Sequence, residues 1–104
     1  MIQVTSYDNA SLLPIDIEAK KMFSNNNVEI IKLILKPGDE IETHKNPLDV
    51  IFYTVSGKGL LTVELESLEV HANSTVFVGK NSLRCWKNNS ENLLEILVVK
   101  LICN

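Results

Sequence analysis

A period of two in the apolar residues dominates this sequence and limits the folds that the chain can adopt. In the segment LLTVELE, Leu61, Val63 and Leu65 alternate with polar residues, as in a strand that has one face in water. Other runs are apolar on both faces, which indicates strands that lie between two layers or against a second subunit. These runs cover residues 28–36, 50–55 and 93–99.

Helical periodicity is weak by comparison. The best candidate is SLLPIDIEAKKMF, but Pro14 interrupts it, and Ile15 and Ile17 followed by Ala19 fit an edge strand as well. Clusters of turn-forming residues separate the apolar runs, as in an all-β sandwich or barrel. The clusters lie at residues 25–27, 37–38, 57–59, 72–74, 79–81 and 88–90.

Two of these clusters predict particular turns. Pro37 presets φ for the first central position of a type II turn, and Gly38 accepts the positive φ that the second position requires. Gly57 and Gly59 predict a tight hairpin corner between the strands on either side of them.

The size and the charge of the chain exclude several classes of protein. A chain of 104 residues is expected to form one domain with a core of its own. Its formal net charge of −3 predicts no binding to nucleic acid or to anionic membranes. The sequence starts without a secretory pattern and has no apolar run of membrane-spanning length. We therefore expect a cytoplasmic protein in which Cys85 and Cys103 are reduced thiols.

The first of two polar segments has two glycines, a histidine and an asparagine at a characteristic spacing. This segment runs from Gly38 through His44, Asn46 and Val50 to Gly57. Its spacing resembles, from end to end, the first motif of the cupin family, in which two histidines and a glutamate lie between two glycines. Here Asn46 replaces the second histidine of that motif, and Val50 replaces the glutamate.

The second segment runs from Asn73 through Gly79, Asn81 and Arg84 to Asn88. It resembles the second cupin motif in spacing, although only Asn88 matches the motif in residue type. The position of the metal-binding histidine in that motif holds Arg84.

The resemblance implies an all-β fold of the cupin type, that is, a β-barrel or double-stranded β-helix (jelly roll) of two antiparallel sheets. We expect one cupin domain over residues 1–104, with N-terminal strands in 1–27 and the barrel core in 28–101. Cupins are often dimers, and the strands that are apolar on both faces agree with an isologous homodimer.

The resemblance also identifies the positions that hold iron, manganese, nickel or zinc in cupins, and here these positions are His44, Asn46, Val50 and Arg84. Asn46 offers only a neutral oxygen, Val50 offers no donor, and Arg84 is a cation without a lone pair. We therefore expect no resident metal.

An alternative keeps a metal and with it an enzymatic function. If a bulge turned Asp49 inward, His44 and Asp49 with water would hold a divalent transition metal, as in an oxygenase-like or isomerase-like cupin enzyme. If Val50 instead takes the inward position, Asp49 points outward, because adjacent strand residues face opposite sides of a sheet.

Arg84 places a positive charge where the motif has a metal ligand. Together with His44 and Asn46 it can bind a small anion, because guanidinium makes bidentate contacts to carboxylate or phosphate. Alternatively, Arg84 pairs with Asp49 or another acid, or reaches out of the barrel along its aliphatic stem.

Phe52 and Trp86 have the same strand parity as Val50 and Arg84, and so face the barrel interior. They either line a pocket or fill it, and in the second case the chain is a structural or interaction module without a ligand. The function that the sequence favours is a small-molecule-binding cupin with no assigned reaction.

Overall fold

Ten β-strands and one short 3-10 turn (Tyr7–Asn9) form the regular structure of residues 1–102, which the computed structural model describes. In chain order the strands are β1 (Ser11–Leu12), β2 (Glu18–Ser24), β3 (Val28–Leu35), β4 (Glu40–His44), β5 (Asp49–Ser56), β6 (Lys58–Val63), β7 (Glu66–His71), β8 (Ser74–Val78), β9 (Arg84–Lys87) and β10 (Leu94–Leu101). Cys103, one of the two predicted thiols, lies outside the described residues.

The strands form two antiparallel sheets. One sheet has six strands in the order β1-β2-β3-β10-β5-β8, and the other has four in the order β4-β9-β6-β7. Every strand pair is antiparallel, and strands far apart in the chain are neighbours, as β3 and β10 are. The predicted all-β jelly roll of two antiparallel sheets is confirmed.

The core lies between the sheets and follows the alternation of the central strands. In β3, Ile31, Leu33 and Leu35 are buried, and the residues between them are only half-buried. Strands β10 and β5 alternate in the same way, with Ile96 and Val50 among their buried residues. Burying each such side chain contributes roughly 1.5–3 kcal/mol, so the inward faces of these three strands hold the sheets together.

The outer face of the six-stranded sheet carries one apolar row. The register places five apolar residues in one row across five neighbouring strands, from β2 to β8. This outer row consists of Phe23, Ile30, Val99, Ile51 and Phe77. Phe77 keeps 62% of its surface exposed, and the other four are half-buried.

The turn at Pro37 and Gly38 has the predicted form. The Asp39 amide donates a hydrogen bond of 2.9 Å to the Lys36 carbonyl oxygen, and Gly38 has a φ of +88°. A positive φ at the second central position is the mark of a type II turn, so the prediction is confirmed.

The predicted hairpin at Gly57 is wrong. Strands β5 and β6 follow each other in the chain but belong to different sheets, so Gly57 is a corner at which the chain crosses between sheets. Its φ of +81° and its closeness to the Leu93 carbonyl make the corner possible, because no side chain intervenes.

Two other local predictions also differ from the structure. The strand predicted through Leu65 ends at Val63, because Glu64 adopts a φ of 53° and the chain reverses into β7; Leu65 is fully exposed. Ile15 and Ile17 lie in the connection between β1 and β2 and not in an edge strand. Among residues 1–102, no helix has the length and hydropathy needed to cross a membrane.

Candidate functional site

A cavity of about 530 Å³ lies between the two sheets. Strands β3, β5 and β10 supply one wall, β4 and β9 supply the other, and the connection before β2 closes one side. The apolar lining residues are Leu13, Ile15, Ile17, Ile31, Leu33, Ile41, Val50, Phe52, Trp86 and Val98, and the polar ones are Asp16, Glu40, Glu42, His44, Asn46, Arg84 and Lys100. A cavity of this size suits a small molecule.

His44 and Arg84 lie directly opposite each other on β4 and β9, although they are far apart in the sequence. The register of the two strands shifts between Ile41 and His44. After the shift, His44 pairs with Arg84, and both residues line the cavity. The Nδ1 atom of His44 lies 3.0 Å from the Glu42 carbonyl oxygen, an acceptor. Nδ1 therefore carries a proton, and Nε2 is the nitrogen left for a ligand.

Arg84 is the buried charge of the cavity, with 2% of its surface exposed. Its Nε and Nη2 atoms donate to the carbonyl oxygens of Ser82 and Gly79, each at 3.3 Å. No ion pair among residues 1–102 includes Arg84. Burial lowers the pKa of the guanidinium from its usual value, because desolvation disfavours the charged form. The expected alternative in which Arg84 pairs with Asp49 or another acid is not what the structure shows.

Asn46 presents a hydrogen-bond donor at the same polar end of the cavity. Its Oδ1 accepts from the Leu48 amide at 3.0 Å, and its backbone carbonyl accepts from the Asn81 amide at 2.8 Å. The side-chain amide nitrogen has no partner among residues 1–102, and Asn46 lines the cavity. Asn46 and Arg84 therefore bring several N–H donors to one end of the cavity.

Asp49 lies outside the cavity, and Val50 takes the inward position. Val50 is 1% exposed and lines the cavity, whereas Asp49 accepts a hydrogen bond of 2.8 Å from the Lys80 amide. The Asp49 carboxylate thus fixes the loop between β8 and β9. Asp49 therefore points away from the cavity, as expected from the alternation of side chains along a strand.

Phe52 and Trp86 line the cavity without filling it. Their rings pack edge to face, with centroids 5.5 Å apart and an interplanar angle of 78°. They are 5% and 2% exposed, so both belong to the core and to the cavity wall at once. A cavity remains beside the two rings, so the structure does not agree with the alternative in which they fill the barrel.

Four charged residues of the lining were not predicted from the sequence. Lys100 has the inward parity of Val98, so alternation along β10 was a signal that could have found it. Its Nζ atom lies 3.6 Å from Glu29 Oε1, so this cation has an acidic partner. The other three are Asp16, Glu40 and Glu42, which are exposed and line the cavity. No signal in the sequence assigned them to the lining.

The two remaining reactive side chains lie elsewhere. His71 is exposed at the end of β7, with Nε2 2.9 Å from Glu69 Oε1. The thiol of Cys85 lies 3.6 Å from Glu40 Oε1, and burial is the main reason that its pKa is raised. Neither residue is among those that line the cavity.

The donor set does not fit a divalent metal. Of the four positions that the cupin resemblance implies, only His44 offers a good ligand, and the cation Arg84 is its cross-strand neighbour. Within the described part of the chain, no group of three or more His, Cys, Asp or Glu residues is arranged to hold a metal ion. The polar groups of this site can form hydrogen bonds to a ligand, and Arg84 can pair with a negative charge on it.

Comparison with known families and structures agrees with the fold. A family model described as "Cupin domain" matches residues 32–100. A search of curated proteins found no match.

Several solved structures share the fold. An RmlC-like cupin family protein with a double-stranded β-helix fold from Methanocaldococcus jannaschii is similar with a TM-score of 0.84 and 22% identity, over 97% of this chain and 91% of that one. A predicted oxalate decarboxylase from Thermotoga maritima has a TM-score of 0.87 and 18% identity, over 97% of this chain and 100% of that one. KdgF from Halomonas has a TM-score of 0.83 and 12% identity, over 97% of this chain and 94% of that one. Similarity at these identities shows the fold alone.

Proposed function

The chain belongs to the cupin domain family, and from that premise we propose that it binds a small anionic molecule in its barrel cavity without a resident metal. Arg84 is the group that holds the anion, with Asn46 as a further donor and His44 beside it. The observation that carries the proposal is a buried guanidinium without an acidic partner among residues 1–102, on the wall of an open cavity.

The energetics of the site support a binding role for Arg84. An unpaired buried charge destabilises a fold, and an apolar side chain of similar length is often neutral or stabilising in its place. A group that costs stability in the empty protein is well placed to gain binding free energy when an anion arrives, since guanidinium offers two parallel N–H donors to a carboxylate.

Replacing Arg84 with methionine tests this proposal. We expect Arg84→Met to be as stable as the wild type or more stable without ligand, because it removes a desolvated charge. Anions that raise the melting temperature of the wild type should no longer do so. Each kcal/mol of ligand stabilisation corresponds to about 4–8 °C in a domain of this size. The measurement is thermal unfolding with acetate, hexanoate and phosphate at constant ionic strength.

Lys87→Met is the matched control, because it removes one positive charge from the exposed side of the same strand. It should keep the anion response of the wild type. The proposal fails if none of the anions stabilises the wild type, or if Arg84→Met responds as the wild type does. Elemental analysis of the purified protein checks the metal-free assignment, which one equivalent of bound transition metal would contradict.

We also propose that two copies associate through the outer row as an isologous homodimer. A two-fold axis through the outer row would place the row of one subunit against the same row of the other. Such a contact buries apolar surface that is otherwise in water.

Ile51→Glu is expected to produce a monomer in sedimentation velocity measurements. Burying a carboxylate within the row, between Val99 and Phe77, should cost at least about 2 kcal/mol of dimer affinity. Asn89→Glu, which adds the same charge at an exposed loop position, should remain dimeric. A wild type that is monomeric at tens of micromolar, or a dimeric Ile51→Glu, would refute this assembly.

A further inference from the structure

Among residues 1–102, Arg84 is the lining cation without an acidic partner, and the rest of the cavity lining is mixed. These features favour a narrow chemical class of ligand. We infer that the ligand is a monocarboxylate with an apolar body, which places its carboxylate at Arg84 and its body along Trp86, Phe52 and the wall of the six-stranded sheet. The inference rests on the proposed function. It adds that the ligand carries one negative charge and that the rest of the ligand is apolar.

The charge count comes from the partners of the lining residues. Two cations line the cavity, but the Lys100 ammonium lies 3.6 Å from a Glu29 carboxylate oxygen. Arg84 is therefore the lining cation that has no acidic partner among residues 1–102. A single unpaired guanidinium matches a single carboxylate, to which it can make two parallel hydrogen bonds.

The acidic residues of the lining disfavour a second negative charge. Asp16 and Glu42 are exposed and line the same cavity. A dicarboxylate or a phosphate dianion would bring its additional charge into a site where these carboxylates raise the electrostatic free energy of binding. A monoanion avoids this repulsion.

The rest of the ligand is apolar because the wall beyond Arg84 is apolar. On β9, Trp86 is the next inward residue after Arg84, about 7 Å further along the strand. Its ring packs against Phe52, and β3 and β10 continue the wall with Leu33 and Val98. A ligand body that meets these side chains gains free energy by burying apolar surface.

A series of straight-chain carboxylates from acetate to octanoate tests the inference. Trp86 is the only tryptophan of the chain and lies in the cavity wall, so its fluorescence reports binding directly. We expect the dissociation constant to fall by about fourfold per added methylene until the cavity is full. Hexanol, which is neutral, and hexylamine, which is a cation at neutral pH, have about the length of hexanoate without its negative charge. Both should bind more weakly by at least about tenfold.

Val98→Thr and Val99→Thr form a matched pair for the apolar wall. The two positions are adjacent in β10, but Val98 lines the cavity and Val99 belongs to the outer row. The added hydroxyl of Val98→Thr should weaken octanoate binding by at least about fivefold and leave acetate binding unchanged. Val99→Thr should bind both as the wild type does.

The outcomes separate this inference from the proposed function. If carboxylates bind through Arg84 but acetate, oxalate or phosphate binds as tightly as octanoate, the ligand class is wrong and the anion site stands. If phosphate binds through Arg84 but no carboxylate of the series does, the ligand class is again wrong and the anion site stands. If hexanol binds as tightly as hexanoate, or if neither the series nor phosphate binds, both are overturned. A steep dependence on chain length that Arg84→Met removes supports both.

Discussion

Gly57→Ala should destabilise this protein more than a change to alanine at any of its other glycines. A Cβ atom at this position would lie 2.3 Å from the Leu93 carbonyl oxygen and 3.1 Å from the Leu94 Cα atom, and both are backbone atoms that cannot turn aside. The φ of +81° adds strain for any residue with a side chain. We expect a loss of about 3 kcal/mol or more, a large share of the stability of a typical domain.

Two other glycines provide the controls. A Cβ atom added at Gly79 would have no other atom within 4 Å, and the residue has no positive φ, so Gly79→Ala should stay within about 0.5 kcal/mol of the wild type. Gly38 has open space but a φ of +88°, and Gly38→Ala should cost about 1 kcal/mol. Urea denaturation at equilibrium gives all three values. If the stability of Gly57→Ala lies within about 1 kcal/mol of that of Gly38→Ala, steric contact with Leu93 does not determine the corner.

Asn88→Ala should be the second severe change. The side chain is fully buried, and its Nδ2 atom donates to the carbonyl oxygens of Leu35 and Asn92 at 2.9 and 2.8 Å. Its Oδ1 accepts from the amide and the hydroxyl of Ser90 at 3.0 and 2.7 Å. Alanine removes all four bonds, two of them to backbone carbonyl oxygens, from a fully buried position, which should cost about 2–4 kcal/mol.

Asn89→Ala is the appropriate comparison, because the neighbouring amide is exposed and its change should stay within about 0.5 kcal/mol. Equal midpoints for the two variants in urea would mean that the Asn88 bonds contribute no net stability. Since Asn88 joins the end of β3 to the loop before β10, we also expect its loss to increase hydrogen exchange of the Ser90 amide.

Much of the fold could be predicted because strands and turns are encoded over a few neighbouring residues. The alternation in residues 28–36 predicts which side chains of β3 face the core, and Pro37 with Gly38 specifies a turn through backbone geometry alone. The failures were local as well. Leu65 continued an alternating pattern, but the reversal before it uses Glu64 in a left-handed conformation that no turn-forming residue announces.

The candidate site could be predicted only in part. Parity placed Arg84 and Trp86 on the inner side of their strand, the motif spacing pointed to His44, and the structure brings all three to one cavity. Lys100 obeys the same parity rule, but it lies at the end of an apolar run and gave no sign of a polar site. The hairpin predicted at Gly57 failed because glycines indicate a sharp change of direction but do not say which sheet the next strand joins.

The amino-acid sequence by itself determined that this chain forms a two-sheet β-fold of the cupin type with a cation where a metal ligand is expected. Only the tertiary structure decided that Arg84 lies without an acidic partner in the described chain, while Lys100 pairs with Glu29. The physical reason is that the alternation of apolar and polar residues predicts which face of the sheet a side chain occupies, but not which side chain it contacts. Whether a charge is paired depends on strands far along the chain, which meet only when both sheets have formed.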